Sequence, residues 1–138
     1  MIRVLPRAHA VLDHFGDVLE LYQFMLRKQQ AIRARQGPGG PADALLKQMT
    51  LAQGVLTNRK RDLEASLKDG EADRFIHELW AVSGDISHLE FDLSHLPGAR
   101  EFDTASQELA MEALVLTRDL TDPAHKAAFV DELRAQGR

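Results

Sequence analysis

The chain has 138 residues, with 17 Lys and Arg against 21 Asp and Glu, a net charge of −4, six His, one Trp, one Tyr and no Cys. A hydrophobic content of 44% with 28% charged residues describes one globular domain over residues 1–138, long enough to bury about 70% of its unfolded surface. A chain without Cys has no disulfide framework, no thiolate nucleophile and no Cys-ligated zinc or iron–sulfur centre.

The N-terminal stretch threads Arg3, Arg7, His9, Asp13 and His14 through its apolar residues, so it reads as neither a signal-peptide core nor a membrane span. A cytoplasmic protein that does not enter a membrane is expected. From Val4 onward apolar residues fall at 4, 8, 11, 15, 18, 22, 25 and 32, an alternation of three and four that predicts a helix. Pro6 suits its first turn, and the breakers of RARQGPGGP stop it after Gln36. At 1.5 Å per residue such a helix spans about 45 Å. Leu5, Leu12, Leu19 and Leu26 form a second ridge beside the main stripe, a candidate contact surface for another chain.

A second series follows Pro41, with Leu45, Met49, Ala52, Leu56, Leu63 and Leu67, interrupted by Arg59 and closed by Asp69-Gly70. The third runs Ala72, Phe75, Leu79, Val82, Ile86, Leu89, Leu93 and Leu96 before Pro97-Gly98, which predicts one helix of about 25 residues. A fourth helix follows through Phe102, Leu109, Ala113, Leu116 and Leu120, and a short fifth covers Ala124–Leu133. No segment alternates with a period of two, so no sheet is expected. Short Gly/Pro connections require neighbouring helices to run antiparallel. The expected fold is all-α, an up-down-up-down four-helix bundle made of hairpins 1–68 and 69–121, with a C-terminal helix in 122–138. A hairpin exchanged between two chains at GPGGP satisfies the same pattern.

On the third helix a wheel at 100° per residue sets Ile76, Trp80, Ser87 and Phe91 away from the main stripe. Two readings follow. The C-terminal helix covers this flank through Phe129 and Leu133, or Ile76, Trp80 and Phe91 mark a partner or dimer surface, since desolvated aromatics carry much of an interface's energy.

Charge divides unevenly: residues 1–68 hold 11 Lys and Arg against 6 Asp and Glu, and residues 69–138 hold 6 against 15. The simplest consequence is electrostatic docking of one hairpin on the other. An anionic partner for the basic half would use Arg27, Lys28, Arg33 and Arg35, or Arg59, Lys60 and Arg61. In an antiparallel hairpin these clusters lie at opposite ends, without a nucleic-acid-binding signature, so nucleic acid is not the expected partner.

The echo Asp85-Ile-Ser-His88 and Asp92-Leu-Ser-His95 places an acid and a His three apart twice, a spacing that can hydrogen-bond or offer two metal ligands. No acidic counterpart stands at core spacing on another helix, as carboxylate-bridged bundles need. No metal or other cofactor is expected, although a metal- or small-ligand-binding bundle is a further alternative. No Gly-rich phosphate loop, G-x-S-x-G or H-E-x-x-H is present. Nor do the acidic pairs match the Glu-x-x-Glu pattern of MazG-type pyrophosphohydrolases, so no catalytic residue is assigned.

His77 lies opposite the core stripe, with Ala81 and Gly84 on its own side. The surrounding string DLEASLKDGEADRFIHELWAVSGDIS, with Leu79, Ala81, Ser83, Ile86 and Ser87, resembles the histidine box of histidine phosphotransfer (HPt) domains. Trp80 replaces the usual Lys and Ala81 the usual Gly, and the resemblance covers about 25 residues. It implies a four-helix bundle with His77 as phosphoacceptor, phosphorylated by a kinase or response regulator. The expectation from the residues as a whole is a non-enzymatic protein–protein interaction module, self-associating as a homodimer or binding another protein.

Overall fold

In the computed structural model, which describes residues 3–89 and 91–136, α1 spans Leu5–Gln36 and carries Pro6 in its first turn. It ends where Gly37 takes φ +84° and donates its N–H to the Arg33 carbonyl. No acidic residue occupies its first turn. The carboxylate of Glu132 supplies that charge from the far end of the chain, accepting the N–H groups of Val4 and Leu5 at 2.6 and 2.7 Å.

Helix α2 covers Pro41–Lys68, α4 Ala99–Asp119 and α5 Pro123–Gln136, each bounded by the Gly and Pro residues that predict it. Among the described residues there is no strand. Helix α3 departs from expectation. It covers Ala72–Ser87, not the whole stretch to Leu96. Ser83, Gly84, Asp85 and Ser87 are weak helix formers, and the Ser87 hydroxyl turns back to the Ser83 carbonyl at 2.7 Å. Residues 88, 89 and 91–98 are irregular, with Asp92 accepting the Ser94 N–H at 2.8 Å. Leu89, Phe91 and Leu93 still pack against the core and Leu96 is buried in it, so the apolar spacing continues after the helix has stopped. Phe91 therefore shares no helical flank with Ile76 and Trp80.

Helix α1 packs on α2 and α4, α3 packs on the same two, and α5 touches α3 and α1. Between α1 and α2, Tyr22 donates to the Met49 carbonyl at 2.6 Å and Gln29 to the Ala42 carbonyl at 3.0 Å. Between α1 and α4, Arg7 meets Asp119, His14 meets Glu112, and the Tyr22 and Phe102 rings lie 5.5 Å apart. The shared core includes Phe15, Tyr22, Met25, Leu56, Leu63, Phe75, Leu79, Leu109 and Leu116, all fully buried. Each such Leu or Phe contributes about 1.5–3 kcal/mol of transfer free energy. Burial pushes the Tyr22 hydroxyl pKa upward, so it remains a donor.

Leu12, Leu19 and Leu26 belong to this core and Leu5 is half-buried against it. The second ridge is thus packed within the chain. The physical reason is that α1 touches three helices, α2, α4 and α5, and needs a stripe wider than one neighbour demands.

Candidate interaction face on helix α3

Arg59, which interrupts the apolar stripe of α2, bridges to α3. Its Nε donates to Asp85 at 2.7 Å and its Nη1 pairs with Glu78. Burial opposes the charge on Arg59, and the hydrogen bonds and attraction of Asp85 and Glu78 more than offset it, leaving its pKa above the usual value. Arg33 is likewise held by Asp43 at 3.0 Å, and Lys60 pairs with Glu64. Three residues of the proposed anion-binding clusters thus have carboxylate partners inside the chain. The uneven charge is expressed in pairs between the halves: Arg7 with Asp119, and Arg59 with Glu78 and Asp85.

The Arg59 bridge fixes which edge of α3 faces α2. Glu78 and Asp85, seven apart, lie on that edge, while Phe75, Leu79 and Val82 point to the core. The remaining outward strip carries His77, Ala81, Gly84 and His88. His77 and His88 are exposed, Ala81 and Gly84 partly so. A Cβ added to Gly84 would meet no atom within 4 Å, so the helix is bare there. Trp80 stands on the far side of this strip, 62% exposed.

On α2, Leu51 and Val55 precede Arg59 by eight and four residues, which turns them about 80° and 40° away from it around the helix. They are 74% and 53% exposed. Leu51, Val55 and Trp80 are thus large apolar side chains left exposed on α2 and α3. Leu51 and Val55 escaped the sequence reading, although a signal existed, an apolar pair four apart lying off the stripe of Leu45, Met49, Ala52 and Leu56. Met111 and Val115 on α4 form a similar exposed pair, beside a groove against α1.

The other predicted residues disperse. Ile76 is half-buried against the core and Phe91 packs in the irregular segment. Phe129 and Leu133 of α5 are buried, but Phe129 stacks on Phe75, with ring centroids 5.4 Å apart, and Trp80 stays uncovered. The two acid–His pairs separate as well: Asp85 holds Arg59, Asp92 holds the Ser94 amide, and His95 bonds to Gln29. Among the described residues no three His, Asp or Glu side chains converge as a metal-binding group, and no helix is long and apolar enough to cross a membrane.

Comparisons of the chain with protein-family models, with curated protein sequences and with solved structures return no match.

Proposed function

We propose that the chain is a non-enzymatic interaction module, an up-down-up-down antiparallel four-helix bundle that associates with a second copy of itself through the outer face of α3. Support for the arrangement comes from the order of contacts. Along α1 the residues Tyr22 and Gln29 meet Met49 and then Ala42 on α2, while Arg7, His14 and Tyr22 meet Asp119, Glu112 and then Phe102 on α4. Residue numbers fall on the partner as they rise on α1, as antiparallel neighbours require.

The observation that carries the docking reading is the exposed Trp80 one helical turn from the bare backbone at Gly84. A two-fold axis passing between them would set each Trp80 over the Gly84 of the other copy, and an isologous contact needs such a projection and hollow on one face.

Sedimentation velocity across micromolar concentrations tests this. The native chain is expected to form a dimer, and both Trp80→Ala and Gly84→Gln to shift it toward monomer with unchanged helicity. Gly84→Gln fills the hollow while improving helix propensity, so loss of assembly in that variant is separable from misfolding. A monomer at every concentration, or a dimer indifferent to both changes, would overturn the reading.

One observation favours a second reading, phosphotransfer at His77: this imidazole is exposed on the same strip, with the small residues Ala81 and Gly84 one and two turns along. A kinase or receiver active site could close over it without displacing a bulky side chain. Trp80 provides no charge to assist a phosphoryl group, and Asp73 lies four residues before His77. Acid-labile phosphate on the native chain, lost in His77→Gln, would support this reading. Its failure to form with the cell's own kinases would remove it.

A further inference from the structure

A second surface lies between α1 and α4, away from the outer strip of α3. An open groove of about 590 Å³ runs there, floored by the buried side chains of Val11 and Leu116. Its two walls differ in chemistry. On α4, Met111 and Val115 stand four apart, 61% and 43% exposed, so one wall is apolar. On α1, Asp13 and Asp17 stand four apart and exposed, so the other is anionic.

The charges of the groove are not all answered from within the chain. Arg7, the only Lys or Arg in its lining, is held by Asp119 at 2.6 Å, and Glu112 meets His14 at 3.0 Å. Asp13 and Asp17 make no ion pair among the described residues. Two carboxylates one turn apart on a helix repel each other, and cations placed against them relieve that repulsion.

The contacts of Arg7 and His14 also set the register of the two walls. From Arg7 to His14 the chain advances seven residues along α1, while their partners step back seven along α4, from Asp119 to Glu112. Continued at that rate, Val115, Asp13, Met111 and Asp17 follow one another along the groove over about 9 Å. A helix laid in it would meet the apolar pair with one flank and the anionic pair with the other, each through its own side chains four apart.

We propose that this groove docks a basic amphipathic helix of another protein, with apolar residues four apart on Met111 and Val115 and Lys or Arg four apart on Asp13 and Asp17. Grooves that take amphipathic helices read such regularly spaced anchors. Methionine suits the apolar wall, because its unbranched side chain adapts to the residue that meets it. The net charge of −4 draws a cationic partner toward the chain.

Protein-observed NMR titration of the full chain with a synthetic helix of about 18 residues, carrying Leu on one flank and Lys on the adjoining one, tests the assignment. Saturable shifts are expected at the amides of Asp13, Asp17, Met111 and Val115, with an affinity that falls as salt is raised. Asp13→Asn with Asp17→Asn should weaken the peptide roughly three- to tenfold and remove much of the salt dependence. Met111→Gln with Val115→Thr should weaken it at every salt concentration. All four side chains are exposed, so both variants should keep the helicity of the native chain. A peptide of the same composition, scrambled to spread Leu and Lys around the helix, should lose the saturable shifts. No saturable shift at the groove, equal binding of the scrambled peptide, or binding indifferent to both variants would overturn the proposal. So would shifts at these amides on concentrating the chain alone, which would give the groove to a second copy.

Discussion

The side-chain oxygen of Gln29 lies 3.1 Å from Nε2 of His95, while the amide nitrogen of the same Gln29 donates to the Ala42 carbonyl at 3.0 Å. With its amide nitrogen committed to Ala42, Gln29 offers only an acceptor to His95, so the imidazole is assigned as carrying its proton on Nε2. One buried side chain thereby joins the start of α2 to the irregular segment between α3 and α4, two regions far apart in sequence.

That link predicts a graded response. Gln29→Leu removes the bonds to both Ala42 and His95 and should cost about 1–3 kcal/mol, whereas His95→Ala removes one and should cost about 1 kcal/mol. In both variants amide exchange over residues 91–98 should accelerate more than exchange in the core of α1. Uniform acceleration across all helices would show that the bond has no local role.

Arg59 offers a second test, since its guanidinium stands between Glu78 and Asp85 at the junction of α2 and α3. Arg59→Ala leaves two half-buried carboxylates facing each other and should destabilise by about 1–3 kcal/mol, from the loss of charged hydrogen bonds and the repulsion that remains. Adding Glu78→Gln and Asp85→Asn should recover a good part of the loss. Chemical denaturation of the native chain, Arg59→Ala, the Glu78→Gln/Asp85→Asn pair alone and all three changes together measures the coupling, and strictly additive losses would exclude it.

Asp43 governs the turn between α1 and α2. The hydrogen bond from Arg33, then the Gly39 N–H and Lys47, hold its carboxyl below the ordinary range. A depressed carboxyl contributes stability that is fully present above its unfolded pKa of about 3.9 and disappears as pH falls through the lower folded value. Asp43→Asn should therefore unfold at lower urea than the native chain from pH 7 down to about pH 4, with the gap closing on further acidification. A gap that persists unchanged at pH 2 would mean that the charge of Asp43 is immaterial.

Four helices follow directly from the chain because Pro6, GPGGP, Asp69-Gly70, Pro97-Gly98 and Pro123 mark their ends. The end of α3 was hidden because Leu89, Leu93 and Leu96 keep helical spacing. Apolar spacing reports which residues are buried, and an irregular segment can bury the same residues. The weak helix formers from Ser83 to Ser87 were the better guide. The second ridge of α1 follows the same rule: a wide apolar face fits a helix with several internal neighbours as well as one with an external partner. Arg59 looked like a break in a stripe, since a sequence does not pair it with Glu78 and Asp85 across helices. Exposure of Trp80 and His77 followed from the wheel, but that of Leu51 and Val55 depended on how α2 docks on its neighbours.

The placement of two side chains also gives this protein separate optical reporters. The single Tyr, Tyr22, is enclosed at the centre of the bundle and bonded to Met49, whereas the single Trp, Trp80, projects from its outside. Indole emission is thus open to aqueous quenchers and will report whether anything covers α3, while the phenol's near-ultraviolet circular dichroism follows the integrity of the interior. Folding and docking can be read in one cuvette, at different wavelengths, without a label.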